Sequence, residues 1–424
     1  MGLKFLHLSD IHFQKIGENG HWDLDADLRN ELNLDLENLA EKVGPLDAIL
    51  ISGDIAFSGN NDEYRLAQEW LTKICEITKC EEENILMVPG NHDVNWDAIH
   101  IMVRDAQSKF KEIGSKGDRN KLDEKIKEYC TGVARADLFK PLENYFAFAQ
   151  RYKCVPESDS LYWEKNFSLQ GCTLRIRGLN SALVSSKIDH EHTSKLIVGS
   201  IQSSLRREDG VIYLTMCHHP PKWLYDGDQV EEDLTARARV HLFGHKHEFR
   251  IDQRTNSVTL AAGAVHPERK EKNWDPRFNI IELDIIEEGQ LKLGIWRRVW
   301  HKGDKKFAPD FGSKGEEMVT MMLELNSKEF DKALKDQEDQ ADGAIKNVNN
   351  IEVINAEKPN PLRKLAYDFY SIPYHRIIEI AVNLKLVRDS DKGKTEVERF
   401  QAYFRRTIDG KLEERLREEI DKQL

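Results

Sequence analysis

Residues 6–12 read Leu6-His7-Leu8-Ser9-Asp10-Ile11-His12, an apolar run that ends in a carboxylate and an imidazole. The run is too short for a helix, so residues 3–9 are expected to form a buried strand that delivers Asp10 and His12 at its end. On a regular strand, positions i and i+2 share a face, so both side chains could grip one ion. Four more segments end apolar runs in the same way: Ile51-Ser52-Gly53-Asp54, Pro89-Gly90-Asn91-His92-Asp93, Cys217-His218-His219-Pro220-Pro221 and Gly244-His245-Lys246-His247. Together they supply carboxylates, an amide oxygen and imidazoles, too many and too mixed for one structural ion. A centre for two divalent metals is the economical explanation.

Hydrolysis of a phosphate ester asks two things of such a centre: a water with a lowered pKa, and positive charge facing the phosphoryl oxygens. Two ions about 3.5–4 Å apart do both when one carboxylate bridges them. Asp54 is the best candidate bridge, because Gly53 before it allows close backbone approach and the strand end fixes its direction. Asn91 offers a neutral oxygen, and Pro220 stiffens the loop that carries His218. Asp93, next to His92, could orient that imidazole and raise its pKa, which suits a proton donor. The alternative is that Asp93 only caps the segment that follows.

Working outward, residues 47–52 and 84–88 read as further short strands, while residues 24–43 and 63–77 carry apolar side chains at helical spacing. Strand and helix alternate, with the chemistry at strand ends, which is α/β logic. Residues 97–160 differ: they are charged, helical in pattern and free of ligand motifs. A solvated helical insertion is the simpler reading, and a cap over the site the competing one. From residue 161 the period changes to two, with strands expected over 161–167, 173–179, 211–216, 240–243, 257–261, 278–286 and 291–299. Two sheets packed face to face with helices outside would accommodate them.

Past residue 305 the texture shifts again. The expected organisation is a catalytic domain over 1–305, an acidic helical linker over 306–357 and a small all-α C-terminal domain over 358–424. Lys358-Pro359-Asn360-Pro361 marks the last boundary, since proline restricts itself and its predecessor. Helices are expected near 362–370, 373–386, 394–407 and 409–422. Tyr370 to Ile378 and Tyr403-Phe404-Arg405-Arg406 hold the aromatic and Arg residues favoured at interfaces, so this domain is a candidate adaptor or dimerisation module.

The 424-residue chain is 40% hydrophobic and 32% charged, as suits a soluble globular protein. A net charge of -12 argues against broad adhesion to nucleic acid or anionic membrane, though not against a local basic groove. The N-terminal residues lack the pattern of a signal peptide, position 6 is wrong for myristoylation, and no apolar stretch is long enough to cross a bilayer. A cytoplasmic location is expected. The six cysteines lack C-x-x-C spacing and read as reduced structural thiols, Cys217 beside His218 included.

The order D-x-H, G-D, G-N-H-D, H-x-P, G-H-x-H over roughly residues 1–300 resembles the calcineurin-like metallophosphoesterase superfamily. The resemblance implies a four-layer αββα sandwich with the metals at one edge. It implies that Asp10, His12, Asp54 and His247 hold one ion, and Asp54, Asn91, His218 and His245 the other. His92 would then stabilise the transition state or protonate the leaving oxygen. His219 would be the intervening residue of H-x-P, and Gly199 and Gln202 look like a familiar helix start of the family. The C-terminal module looks faintly like the helical adaptors appended to effectors in bacterial conflict systems.

The other histidines have plainer readings. His7 and His241 are expected to pack within strands; His21, His100, His190, His192 and His375 are expected at the surface. His266, after a strand in the ligand-bearing half, could reach substrate. The expected activity is hydrolysis of phosphodiester or phosphomonoester bonds by a metal-activated hydroxide, on nucleotide-type substrates. The donors suit manganese, and also iron, nickel, cobalt or zinc. The alternative is a DNA or RNA nuclease effector, recruited or regulated by a protein partner through residues 358–424.

Overall fold

The computed structural model describes residues 2–14, 25–130, 134–157, 160–187, 195–267, 274–286, 289–312 and 315–330, then 365, 369, 374–388, 391 and 396–421. The chain divides into two compact units, Met1–Ala341 and Asp342–Leu424, and each is described by itself.

In the first unit the apolar runs form strands and the 3.6-periodic segments form helices. The order begins β1 (Leu3–Leu8), α1 (Ala26–Val43), β2 (Ala48–Ile51), α2 (Asn61–Thr78) and β3 (Ile85–Met87). The start of α2 is fixed by a capping box: Asn60 accepts from the helix backbone and Glu63 reaches back to the Asn60 N–H. The insertion supplies α3 (Ile101–Ser115), α4 (Arg119–Cys130), α5 (Ala134–Phe139) and α6 (Glu143–Gln150). Next come β4 (Tyr162–Leu169), β5 (Cys172–Leu179), α7 (Ser200–Ser203), β6 (Val211–Cys217), α8 (Gly227–Thr235) and β7 (Ala238–Phe243). The unit closes with β8 (Phe249–Gln253), β9 (Val258–Ala262), β10 (Arg277–Ile286), β11 (Gln290–His301), β12 (Lys306–Pro309) and β13 (Met318–Glu324).

Two sheets result. One has the order β12-β11-β10-β1-β2-β3, with β13 also on β11; the other runs β4-β5-β6-β7-β9-β8. The strands β1, β2 and β3 are parallel, as are β5, β6, β7 and β9. The sheets face each other: Phe5 of β1 meets Phe167 of β4 edge-on at 5.7 Å, and the Trp163 indole of β4 donates to the Met87 carbonyl of β3. Strand β6 displays the layering residue by residue. Its Ile212, Leu214 and Met216 join the core between the sheets, while Val211, Tyr213 and Cys217 join a second cluster with the helices. Helices α1 and α2 bury Leu28, Leu32, Leu36, Trp70 and Leu71 against the first sheet. The chain is an α/β sandwich of two sheets between helices, with a small helical domain after it.

The insertion is not a solvated appendage. Phe110 of α3 and Leu122 and Ile126 of α4 are buried in the second cluster with Val198, Cys217, Leu224 and Val230. Arg119 donates to Ser200 Oγ, and Asp123 accepts the Ser200 N–H at 2.8 Å. Residues 131–133 and 158–159 of the insertion lie outside the described residues.

The expected helical linker is corrected where it is described. Residues 306–309 and 318–324 are strands: β12 pairs with the end of β11, and β13 with residues 290–296 of the same strand. Met321 and Leu323 are buried while their neighbours face out, a period of two masked by the acidic residues around it. Strand β8 carried no sequence signal, because it is a half-exposed edge strand without a buried stripe.

In the second unit, helices Tyr374–Asn383, Glu396–Asp409 and Glu413–Asp421 gather Ile377, Ile380, Ala381, Leu384, Tyr403, Leu416 and Ile420 into a core with Leu365 and Phe369. Part of the expected interface surface is therefore spent internally. Tyr403 is buried, and Arg406 is tied to Asp391 and the Leu386 carbonyl. Arg405 remains exposed. The linker signals at 336–343 and 358–361, residues 370–373, the His375 side chain, and His21, His190 and His192 lie outside the described residues.

Candidate metal centre

Parallel strands within each sheet bring the C-terminal ends of β1, β2, β3, β6 and β7 to one edge, where crevices form in α/β folds. The loops there are zipped together. Asp10 N–H donates to the Gly53 carbonyl at 3.0 Å, and the N–H groups of Ile11 and His12 donate to that of Asp54 at 2.8 and 3.1 Å. Five non-glycine residues at this edge have a left-handed backbone: Asp10, His12, Asp54, His245 and His247, with φ between 52° and 70°. Each such residue costs roughly 1–2 kcal/mol, and strain of this kind collects at functional sites. The expected reason for Asp10 and His12 facing one way is thereby corrected. Strand β1 ends at Leu8, and left-handed turns, not the pleat, aim both side chains inward.

Two glycines make room. A Cβ on Gly53 (φ 99°) would lie 2.4 Å from His218 Nδ1, and one on Gly90 would lie 2.1 Å from Asp54 Oδ1. Larger residues would displace the imidazole or the carboxylate.

The side chains converge on Asp54. Its Oδ1 accepts the His92 N–H at 2.8 Å, while Oδ2 lies 3.3 Å from His12 Nε2 and 3.2 Å from His218 Nε2. His247 Nε2 lies 3.3 Å from Asp10 Oδ1, an oxygen with no hydrogen-bond donor. Asp10 Oδ2 accepts from Ser9 Oγ and from the His245 N–H. His218 Nδ1–H donates to the Ser52 carbonyl at 2.7 Å, so in the neutral ring Nε2 carries the lone pair. That lone pair faces Asn91 Oδ1 at 3.2 Å and Asp54 Oδ2. With His218 neutral these three acceptors face one another, and either a proton on Nε2 or a metal ion between them satisfies them. Among the described residues, four groupings of three bring their ligand atoms within 4.8 Å: Asp10/His12/His247, Asp10/Asp54/His218, His218/His219/His245 and His12/Asp54/His92. The donor set, all oxygen and imidazole nitrogen, fits divalent first-row metals.

The electrostatics agree. Burial would raise both carboxyl pKa values, but His247 beside Asp10, and His218 and His12 beside Asp54, hold them well below the carboxylate range. His218 is pulled the other way: burial works against its charge, and Asp54 outweighs that, raising it to about 9. His245 is lowered to about 3 by burial and by His218. Two buried carboxylates thus demand positive charge that the imidazoles supply only in part.

His92 borders this convergence, grouped with His12 and Asp54 but with one ring nitrogen committed elsewhere. Its Nδ1–H donates to the Phe57 carbonyl at 2.8 Å, and its ring lies 4.7 Å from His12, 5.2 Å from Phe57 and 5.8 Å from Trp96. The expected orienting partner is corrected: Asp93 does not hold His92. Residues 91–94 turn, so adjacent side chains diverge. Asp93 is buried and accepts from the N–H groups of Gly90 and Ala56 and from the Tyr64 hydroxyl. Burial and the charge of Asp54 raise it to about 6.

The remaining histidines sort as follows. His7 and His241 are buried in strands, bonded to Ser52 Oγ and Thr215 Oγ1. His266 is not turned toward the centre: its Nε2 lies 2.7 Å from Asp25, and its N–H donates to the Asp10 carbonyl. Cys217 is buried with its thiol pushed up to about 12. Gly199 caps α7, and Gln202 holds the Asn180 backbone. Two residues of the site were missed. His219 is buried, its Nε2 3.1 Å from Asn91 Oδ1 and its ring 4.5 Å from His245. The available signal was the doubled histidine at the end of a largely apolar strand. Trp223, 4.2 Å from His245, was missed as well.

Residues 3–249 match the family described as calcineurin-like phosphoesterase, and residues 361–422 match the GTPase-associated adaptor domain. A relative from Bacillus subtilis (strain 168), the uncharacterized metallophosphoesterase-like protein YydB, is 23% identical over 368 residues, covering 81% of this chain and 69% of that protein. Among solved structures, purple acid phosphatase PPD1 from yellow lupin aligns at 11% identity and a TM-score of 0.38, over 76% of this chain and 54% of that one. GAP50, the anchor in the inner membrane complex of Plasmodium, aligns at 12% identity and a TM-score of 0.38, over 80% of this chain and 94% of that one. With more than half of its length matched and the five ligand-bearing loops gathered at one sheet edge, the chain belongs to the calcineurin-like phosphoesterase family and is a phosphoric ester hydrolase.

Proposed function

We propose that the chain is a two-metal phosphoesterase acting on nucleotide-type substrates. The observation that carries this is the convergence on Asp54 Oδ2, with an imidazole from each side at 3.2–3.3 Å. Asp10, His12, Asp54 and His247 would hold one ion, and Asp54, Asn91, His218 and His245 the other, with manganese the favoured metal. Bound there, the ions would lower the pKa of a water and offset phosphoryl charge. His92 has one nitrogen committed to the Phe57 carbonyl, so its Nε2 is the atom that hands a proton to the leaving oxygen. Asp93 fixes the Gly90 turn that presents Asn91 and His92.

Two tryptophans favour a nucleotide over a simple phosphate ester. Trp96 adjoins His92 and Trp223 adjoins His245, both half-buried, and an aromatic face beside a phosphate site suits a stacked base. The test is turnover by the purified manganese-loaded protein on a cyclic nucleotide panel, a model aryl phosphodiester and single-stranded DNA. Nucleotide turnover is expected; turnover of DNA alone contradicts the proposal.

A second reading, a nuclease effector recruited by a protein partner, rests on the match of residues 361–422 to an adaptor domain. It puts partner binding in residues 358–424. Loss of a co-purifying partner on truncation after Lys358, with turnover kept, supports it. A cytoplasmic location completes the proposal, and no helix among the described residues is long and apolar enough to cross a membrane.

A further inference from the structure

His219 follows the proposed ligand His218 directly, and both side chains meet the same Asn91 oxygen. Its Nε2 is 3.1 Å from Asn91 Oδ1, its Nδ1 is 2.8 Å from Ser181 Oγ, and its N–H donates to that same Oγ at 3.2 Å. Both His219 and Ser181 are buried, with 1% and 0% exposure, so water cannot substitute for any of these partners.

The hydrogen-bond roles follow from the acceptor at the end of the chain. An amide oxygen only accepts, so the contact with Asn91 Oδ1 is bonding when His219 Nε2 carries the proton. Nδ1 is then the acceptor, and the Ser181 hydroxyl donates to it. Ser181 Oγ keeps a lone pair for the His219 N–H. Every atom in the chain Ser181–His219–Asn91 then has a consistent role. As a neutral metal ligand, with its Nδ1–H spent on the Ser52 carbonyl, His218 has no proton on Nε2 to give Asn91 Oδ1, which leaves His219 as the donor.

We infer that His219, set by Ser181, is a positioning residue that locks the Asn91 amide with its oxygen toward the second ion. The inference rests on the ligand set proposed above. An asparagine amide is nearly symmetric in shape, and a half-turn would put its NH2 where the ligand oxygen belongs. The donor on His219 makes one orientation favourable and the other repulsive. Outer partners of metal ligands commonly change affinity by 10–100-fold.

The test is titration of chelator-treated, full-length protein with manganese, followed by calorimetry, in the wild type and in Asn91→Ala, His219→Phe, His219→Gln and Ser181→Ala. His219→Phe keeps a ring and removes the donor, so affinity at one of the two sites, the same one that Asn91→Ala weakens, should fall about 10-fold or more while the other is unchanged. His219→Gln, which retains an N–H donor, should recover part of the loss, and Ser181→Ala should fall between. Should His219→Phe fail to fold, Ser181→Ala carries the same comparison. Weakening by Asn91→Ala with wild-type affinities in both His219→Phe and Ser181→Ala would overturn the inference and leave the ligand set intact. Wild-type affinities in Asn91→Ala would overturn both.

Discussion

At the residue scale, His92 and Asp54 do different work although the His92 N–H bonds the Asp54 carboxylate. His92 is tied to Phe57 through Nδ1 and is not one of the proposed ligands, so His92→Ala should keep its metal while turnover falls by about 10²-fold or more. Elemental analysis beside kinetics separates the two, and a metal-depleted variant would contradict the role. The candidate ligands could be picked out because each motif pairs a strand-end signal with a ligand residue type. Asp93 was misassigned because adjacency in sequence says nothing about direction within a turn. His219 was missed because a motif written H-x-P treats its middle position as blank. The left-handed backbones at Asp10, His12, Asp54, His245 and His247 have no signature in the sequence, since only neighbouring loops hold those conformations in place.

At the scale of the elements, periodicity identified β1, β2, β3, α1 and α2, because burial on one side or both leaves a pattern. It failed for β8, exposed at an edge, and for β13, whose two buried residues flank an exposed methionine, Met322. The insertion defeated composition for another reason: α3 and α4 are charged outside and buried on one stripe. Phe110→Ala should therefore destabilise the protein by about 3–5 kcal/mol, as for a fully buried aromatic. A denaturant midpoint equal to the wild type would return the insertion to the surface. Strand β7 carries a pH dependence. His241 is buried with Nε2 lacking a hydrogen-bond partner, and burial lowers its pKa from 6.5 to about 3, with Arg254 adding to the effect. Between those values the unfolded chain binds a proton that the folded one refuses, so stability is full above 6.5 and falls as pH drops, by about 1.4 kcal/mol per unit. Metal-free His241→Gln should lose stability less steeply from pH 7 to 5 than the wild type; equal slopes would contradict the assignment.

At the scale of the whole molecule, one sheet edge carries the chemistry because parallel strands from both sheets end there, while the helical C-terminal unit has its own core. The α/β class, the order of the ligand loops and the helical C-terminal segment were all apparent from spacing alone. What spacing could not supply was how the loops are zipped together, and that zipping turns seven separated donors into one centre. The account stands on Asp54 as the shared carboxylate. The direct test is the metal content of full-length protein after dialysis against manganese, wild type beside Asp54→Asn. Two equivalents per chain are expected for the wild type and well under one for the variant, since the loss of one charge weakens both positions. Two equivalents retained by Asp54→Asn would contradict the shared-carboxylate centre.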